Sequence, residues 1–226
     1  MFCDVVGSTS LAERLDPEEW RAVVRKYQGA CATVIRRFEG SIAQFLGDGL
    51  LVYFGYPQAH EDDALRAVRV GLEIIRVLQS ASVSGAPASG QREGGPEPAL
   101  AEGALEIQVR IGIHTGLVVV GEIGDGSKRE LLALGETPNV AARLQEAAQP
   151  NTVVISATTR RMITGLFDFR DLGLRSLKGL SVPVRVYQVG RETGAGSRLE
   201  AGSVVGLTPL VGREEEVAYL RRRWDP

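Results

Sequence analysis

Two aspartates stand where a carboxylate is costly. Asp4 lies inside the apolar run MFCDVV, and Asp48 sits between Gly47 and Gly49 in SIAQFLGDGLLVYFG, at the junction of two short apolar stretches. An unpaired charge against apolar strands is expensive, and no lysine or arginine lies beside either one in the sequence. Taken singly, each has an ordinary reading, Asp4 as a helix N-cap and Asp48 as a turn residue. Taken together, they ask for a shared counter-charge. Hard carboxylate oxygens suit Mg²⁺ or Mn²⁺, and Mg²⁺ commonly comes with substrate phosphates. Gly7, Ser8 and Thr9 follow Asp4 and open a helix, where backbone N–H groups bind phosphate and a glycine lets the chain approach closely. The combination describes a two-metal triphosphate site, with metals polarising a nucleophile and steadying a leaving group.

Farther along, Asn139 and Arg143 are four residues apart on a helical stretch and share a face. Spacing alone allows a solvent-facing pair. Beside a phosphate site the same pair reads as a polar and cationic clamp on a pentavalent phosphoryl transition state. His60 and His114 are the only histidines. Neither has a partner at metal-ligand spacing, so His60 is read as opening a helix and His114 as sitting in a hairpin turn.

The elements that must position these residues can be read from periodicity. MFCDVV is a strand, and GSTS a turn with hydroxyl N-cap candidates. One helical stretch then runs to about Phe38, with Trp20, Val23, Tyr27, Cys31, Val34 and Phe38 on its apolar stripe. Gly40 ends it. Strands over 41–46 and 50–54 form a hairpin through Gly47-Asp48-Gly49. A second amphipathic helix carries Leu65, Val68, Leu72, Ile75 and Leu78 on one face and Glu61, Asp62 and Asp63 in its first turn. Residues 80–103, rich in Ser, Gly, Ala and Pro, read as a flexible loop.

LEIQVRIGI then alternates as a strand with Ile107, Val109, Ile111 and Ile113 on one face, and HTG turns it into LVVVGEI. GETPNVAARLQEAA starts a helix with Thr137 as cap and Pro138 in its first turn. A strand and helix (TVVISATTRRMI) and two strands around a lysine-bearing turn complete residues 1–190. The opening order β-α-β-β-α-β is the split pattern of ferredoxin-like α+β folds, which lays the first strand beside the hairpin and brings Asp4 near Asp48.

Composition sets the outer limits. The chain has 226 residues, 44% hydrophobic and 24% charged, with a net charge of −2. That is the balance of a globular domain without the basic surface nucleic acid requires. Two cysteines, Cys3 and Cys31, do not make a disulfide framework and point to a reducing, cytoplasmic setting. No apolar run approaches the roughly 18 residues of a membrane helix. MFCDVV starts a strand at residue 1 and YLRRRWDP stops after a helical pattern, so both ends read as edges of something longer.

FCDVVGST, QFLGDGLLVYFG, RIGIHTG and ETPNVAARL resemble, in order, the motifs of the class III adenylyl/guanylyl cyclase catalytic domain, and most of all its bacterial, soluble-adenylyl-cyclase-like branch. The resemblance covers about residues 1–190. It implies a metal-dependent conversion of a nucleoside triphosphate to a cyclic nucleotide and pyrophosphate, with two Mg²⁺ or Mn²⁺ per site and a head-to-tail homodimer. Asp4 and Asp48 match the family's two metal-binding aspartates, and the backbone carbonyl of Val5 matches a further metal ligand. Gly7, Ser8 and Thr9 match the segment that holds the β- and γ-phosphates. Asn139 and Arg143 match the ribose-orienting asparagine and the transition-state arginine. Lys178, in SLKGL, matches a lysine that grips the triphosphate. In the family the metal aspartates come from one protomer, and the residues matching Asn139, Arg143 and Lys178 from the other.

Two positions depart from the pattern. Gln44 stands where the adenine-reading lysine is expected, and Leu132 where a second purine-reading residue, usually Asp or Thr, is expected. Glutamine both donates and accepts hydrogen bonds, and leucine does neither. The implied activity is that of an adenylate cyclase. The alternatives are a guanylyl or unselective cyclase and a non-catalytic nucleotide-sensing domain that regulates an attached ATPase. Residues 191–206 read as a linker, and LVGREEEVAYLRRRW within 207–226 resembles the opening of an ATPase module, although no GxxxxGK phosphate loop follows before Pro226.

Overall fold

The computed structural model describes residues 1–83, 106–123, 130–194 and 211–224. Its first half contains β1 (Phe2–Val5), α1 (Ser8–Arg14), α2 (Pro17–Arg37), β2 (Ser41–Leu46), β3 (Gly49–Tyr53) and α3 (Asp63–Val83). Then come β4 (Val109–Ile113), β5 (Val119–Ile123), β6 (Glu130–Leu134), α4 (Glu136–Glu146), β7 (Thr152–Ser156) and α5 (Ala157–Met162). Strands β8 (Phe167–Arg175) and β9 (Val184–Glu192) precede a last helix, α6 (Glu214–Trp224).

Among the described residues seven strands form one sheet in the order β2-β3-β1-β4-β7-β9-β8. The run β2-β3-β1-β4 is antiparallel throughout and is the ferredoxin-like core expected from the sequence. β7 joins parallel to β4, and β9 and β8 extend the sheet antiparallel. β1 is therefore a central strand, and its position fixes where Asp4 can be.

Alternation along the strands divides the side chains between two cores. Cys3, Val5, Leu50, Val52, Val109, Ile111, Ile113, Val153 and Ile155 face α2 and α3, joining Tyr27, Cys31, Ile35, Val68 and Ile74 in the larger core. Each fully buried Val or Ile contributes about 1.5–3 kcal/mol relative to exposure. On the other face, Val140 and Leu144 of α4, with Ala148 just past its end, pack against Val154 and Val186. Gly112 permits that packing. A β-carbon there would lie 2.2 Å from the Gln145 nitrogen and 2.3 Å from the Ala141 carbonyl, so only glycine lets α4 cross β4 this closely. Asp4, one residue out of phase with Cys3 and Val5, belongs to the α4 side of the sheet.

Several local expectations are corrected. The stretch up to Phe38 is two helices, because Asp16 and Pro17 restart it. The Asp16 carboxylate accepts from the Glu18 N–H at 2.9 Å, Glu19 accepts from the Asp16 N–H, and Pro17 occupies the first turn. The N-cap of α1 is Gly7 (φ 66°), without a side-chain cap, in place of a hydroxyl. Gly135 precedes α4, and Thr137 instead donates to the Leu117 carbonyl at 3.0 Å. β4 and β5 do not form a hairpin, because both edges of β4 are already taken by β1 and β7. His114 and Thr115 lead away from the sheet, and β5 pairs with β6 in a separate ribbon. α3 starts at Asp63, with Glu61 and Asp62 ahead of it. β9 continues to Glu192, two residues into the stretch read as a linker. Most of the 80–103 loop and of the linker lies outside the described residues.

Candidate active site

β1 and the β2–β3 turn bring Asp4 and Asp48 together. Their carboxyl groups lie within hydrogen-bonding reach of one another. Burial, first, and the Asp48 charge, second, push the Asp4 carboxyl up to about 6. The Oδ2 of Asp48 is buried and has no hydrogen-bond partner. Gly49 makes room for the pair, since a β-carbon there would sit 3.2 Å from Asp4 Oδ1 and 3.3 Å from the Leu46 carbonyl. Two adjacent carboxylates with an orphaned oxygen form a donor set that a hard divalent cation fits. Among the described residues no group of three or more His, Cys, Asp or Glu side chains could hold a metal, so further ligands would have to be backbone, water or substrate oxygens. The Val5 carbonyl is placed for the first of these roles by sequence position only.

Arg110 was not anticipated. It faces Asp4 directly across the β1–β4 ladder, and its charge opposes the upward push on that carboxyl. The signal was in RIGIHTG: if Val109, Ile111 and Ile113 face one core, Arg110 must face the other side, which is also the Asp4 side.

The remaining candidates are dispersed. Ser8 and Thr9 lie in the first turn of α1, just past Gly7. Val140, Ala141 and Leu144 bury the inner face of α4, while Asn139 is exposed and Arg143 lies partly open. The Arg143 guanidinium pairs with Glu146 one turn along its own helix. Lys178 is exposed in the β8–β9 connection, beyond Leu177, which is buried beneath α4. No described contact joins Asn139, Arg143 or Lys178 to the carboxylate pair. Gln44 lies half-buried on β2, at the irregularity in its pairing with β3. Leu132, on β6, pairs with Gly121 of β5, and β6 lies beside β2, so the two departing positions occupy neighbouring strands.

The sequence of residues 1–191 matches the family described as adenylate and guanylate cyclase catalytic domain. The chain belongs to that family. It is 31% identical over 205 residues to adenylate cyclase 1 of Rhizobium meliloti, a match covering 90% of this chain and 29% of that protein. Among solved structures it resembles the guanylyl cyclase Cya2, with a TM-score of 0.75 and 30% identity over 87% of this chain and 92% of the other. It also resembles the adenylyl cyclase CyaB of P. aeruginosa, with a TM-score of 0.70 and 28% identity over 84% and 92%. The chain spans 29%, 20% and 53% of the lengths of three Rhizobium meliloti relatives it matches.

Within this cyclase domain the two histidines are structural. His114 Nδ1 is 2.7 Å from Ser156 Oγ, in a buried network with Thr159 and Thr115 that ties the end of β4 to the start of α5. Burial, with the Met1 amine nearby, holds its ring below the usual range. His60 sits between Glu39 and Asp63 ahead of α3.

Proposed function

We propose that this domain is a metal-dependent nucleotidyl cyclase that converts ATP to 3′,5′-cyclic AMP and pyrophosphate at a site shared by two copies of the chain. The observation that carries the reading is the carboxylate pair, Asp4 against Asp48 with a buried, unpartnered Asp48 oxygen. Asp4, Asp48 and the Val5 carbonyl would hold two Mg²⁺ or Mn²⁺ ions. Bound there, the ions would supply Lewis-acid polarisation of the ribose 3′-hydroxyl and charge neutralisation on the triphosphate. The backbone of Gly7, Ser8 and Thr9 cradles the β- and γ-phosphates. Asn139 orients the ribose, Arg143 stabilises the charge that grows on the α-phosphate during attack, and Lys178 grips the triphosphate.

The shared site is supported by what one chain leaves undone. Asn139 and Arg143 point away from the core of their own copy and are not in contact with its carboxylates. Apolar surface lies beside the turn and along the ribbon: Phe45 is 51%, Leu117 97% and Val119 70% exposed. A head-to-tail homodimer would cover this surface and bring Arg143 of one copy to the carboxylates of the other. Among the described residues no helix is long and apolar enough to cross a membrane. A fused ATPase module, of which α6 would be the opening helix, rests on the sequence resemblance alone.

A second reading keeps the chemistry and relaxes the base. Gln44 and Leu132 do not provide the usual purine-reading pair, and the chain resembles both adenylyl and guanylyl cyclases. The test is to measure cyclic AMP and cyclic GMP formed from ATP and GTP with Mg²⁺ or Mn²⁺. Metal-dependent cyclic AMP formation supports the proposal. Equal use of GTP supports the unselective reading. Nucleotide binding without any cyclic product would instead identify a sensing domain.

A further inference from the structure

Two consecutive residues of α2 reach the segments that carry the carboxylates. The Tyr27 hydroxyl is 3.2 Å from the Sγ of Cys3, the residue before Asp4. The Gln28 side-chain amide donates at 2.8 Å to the carbonyl of Gly47, the residue before Asp48. We propose that Gln28 is a positioning residue of the metal site: from the rail of α2, whose Tyr27 already touches the strand carrying Asp4, it holds the Gly47-Asp48-Gly49 turn and so sets the separation of the two carboxylates. The inference rests on reading Asp4 and Asp48 as metal ligands.

The turn needs such a hold. The β2–β3 ladder closes at Leu46 and Gly49, which leaves the Gly47 carbonyl outside it. Phe45, Leu46 and Gly47 are exposed, so the tip has little apolar cover to fix it. Gly47 is in the left-handed region at φ 63° and its flexibility is intrinsic. Two like charges side by side also push the turn away from β1. α2 resists that push well. It is 21 residues long, starts with a capping box, and is anchored by Tyr27, Cys31, Val34 and Ile35 in the larger core. Side chains at successive helix positions diverge by about 100°. Tyr27 thus points into the core toward Cys3 while Gln28 reaches along the surface to the turn.

This role is not legible in the sequence, because glutamine at a helix surface is common and its partner is a backbone carbonyl 19 residues away. Outer groups that orient metal ligands typically change metal affinity 10–100-fold when removed. The experiment is direct Mn²⁺ binding to the purified chain, read from the electron paramagnetic resonance of free Mn²⁺, alongside the Mn²⁺ dependence of turnover. Gln28→Met keeps the length and apolar stem but cannot donate. It is expected to raise the Mn²⁺ Kd about tenfold and to raise the half-saturating Mn²⁺ concentration by the same factor. kcat at saturating Mn²⁺ and the metal-free melting temperature should stay near wild type. Gln28→Ala serves the same purpose should the methionine variant fail to fold. Wild-type Mn²⁺ affinity in a folded variant overturns the positioning role. A lower melting temperature and kcat with unchanged affinity also overturns it, since that marks a merely structural contact. A wild-type chain that binds no Mn²⁺ removes the metal reading itself, and the positioning role with it.

Discussion

The carboxylate pair and the α4 face are built in opposite ways. Asp4 and Asp48 come from a central strand and an adjoining hairpin, and a single chain assembles them completely. Asn139 and Arg143 stand on the exposed side of a helix whose inner side is filled by Val140, Ala141 and Leu144, with Glu146 as the only described partner of the guanidinium. The first region is concentrated and electrostatically strained, and the second is dispersed and at rest. In the proposed shared site this contrast has a use: one fold holds two halves of the reaction apart, and each half gains its partners from a second copy.

The largest expected effect separates metal binding from transition-state charge. Asp4→Ala and Asp48→Ala should each lower cyclase turnover by about a thousandfold or more and also abolish Mn²⁺ binding, because each removes half of the ligand pair. Arg143→Ala should lower kcat about a hundred- to a thousandfold while leaving Mn²⁺ binding unchanged. If Arg143→Ala weakened Mn²⁺ binding as much as Asp48→Ala, the division into two regions would be wrong.

A smaller effect concerns the base. If Gln44 and Leu132 line the purine pocket as proposed, kcat/KM for ATP and GTP should differ by less than about tenfold, since glutamine can present a donor or an acceptor and leucine offers neither. Competition kinetics with both nucleotides measure this. An ATP preference above roughly a thousandfold would show that other residues read the purine.

The smallest effect is on stability, and its sign is opposite to that on activity. The Asp4 carboxyl titrates near 6 in the fold against 3.8 ordinarily. The folded state therefore binds its proton more tightly than the unfolded state does. The Asp4 contribution to the stability of metal-free protein should be greatest below about pH 4, fall as pH rises from about 4 to 6, and level off above. Asp48→Asn removes a like charge, so the metal-free variant should melt a few degrees higher than wild type at pH 8 while being inactive. Thermal unfolding at pH 4 and pH 8, with and without Mn²⁺, checks both halves. A melting-temperature difference between wild type and Asp48→Asn that is the same at both pH values would show that the pair is not strained.

Much of this architecture was legible in the sequence. The alternation of Val109, Ile111 and Ile113 and the stripe on α3 are direct readouts of burial, and the β-α-β-β-α-β order was enough to place Asp4 beside Asp48. What escaped depended on information outside the local window. Arg110 is 106 positions from Asp4 in the chain and becomes its neighbour only through strand pairing. The hairpin expected at His114 failed because neighbouring strands, not the turn, decide whether β5 can pair with β4. The break at Asp16-Pro17 was readable as a cap but was hidden by an apolar stripe that continues on both sides. Gln28 carries no sequence signal, because its role lies in a bond to a backbone carbonyl.

The central claim, that two copies complete one another's sites, is tested most directly by mixing two inactive variants. Asp48→Ala and Arg143→Ala chains, combined in equal amounts under conditions that allow subunit exchange, form heterodimers in half of the random pairings. Each heterodimer carries one site with both lesions and one with neither. Cyclic AMP formation should recover to about a quarter of wild type, since half of the dimers then hold one intact site out of two. Mixtures that stay as inactive as the separate variants, with exchange confirmed by differently tagged chains, would contradict the shared site and place the whole reaction within a single copy.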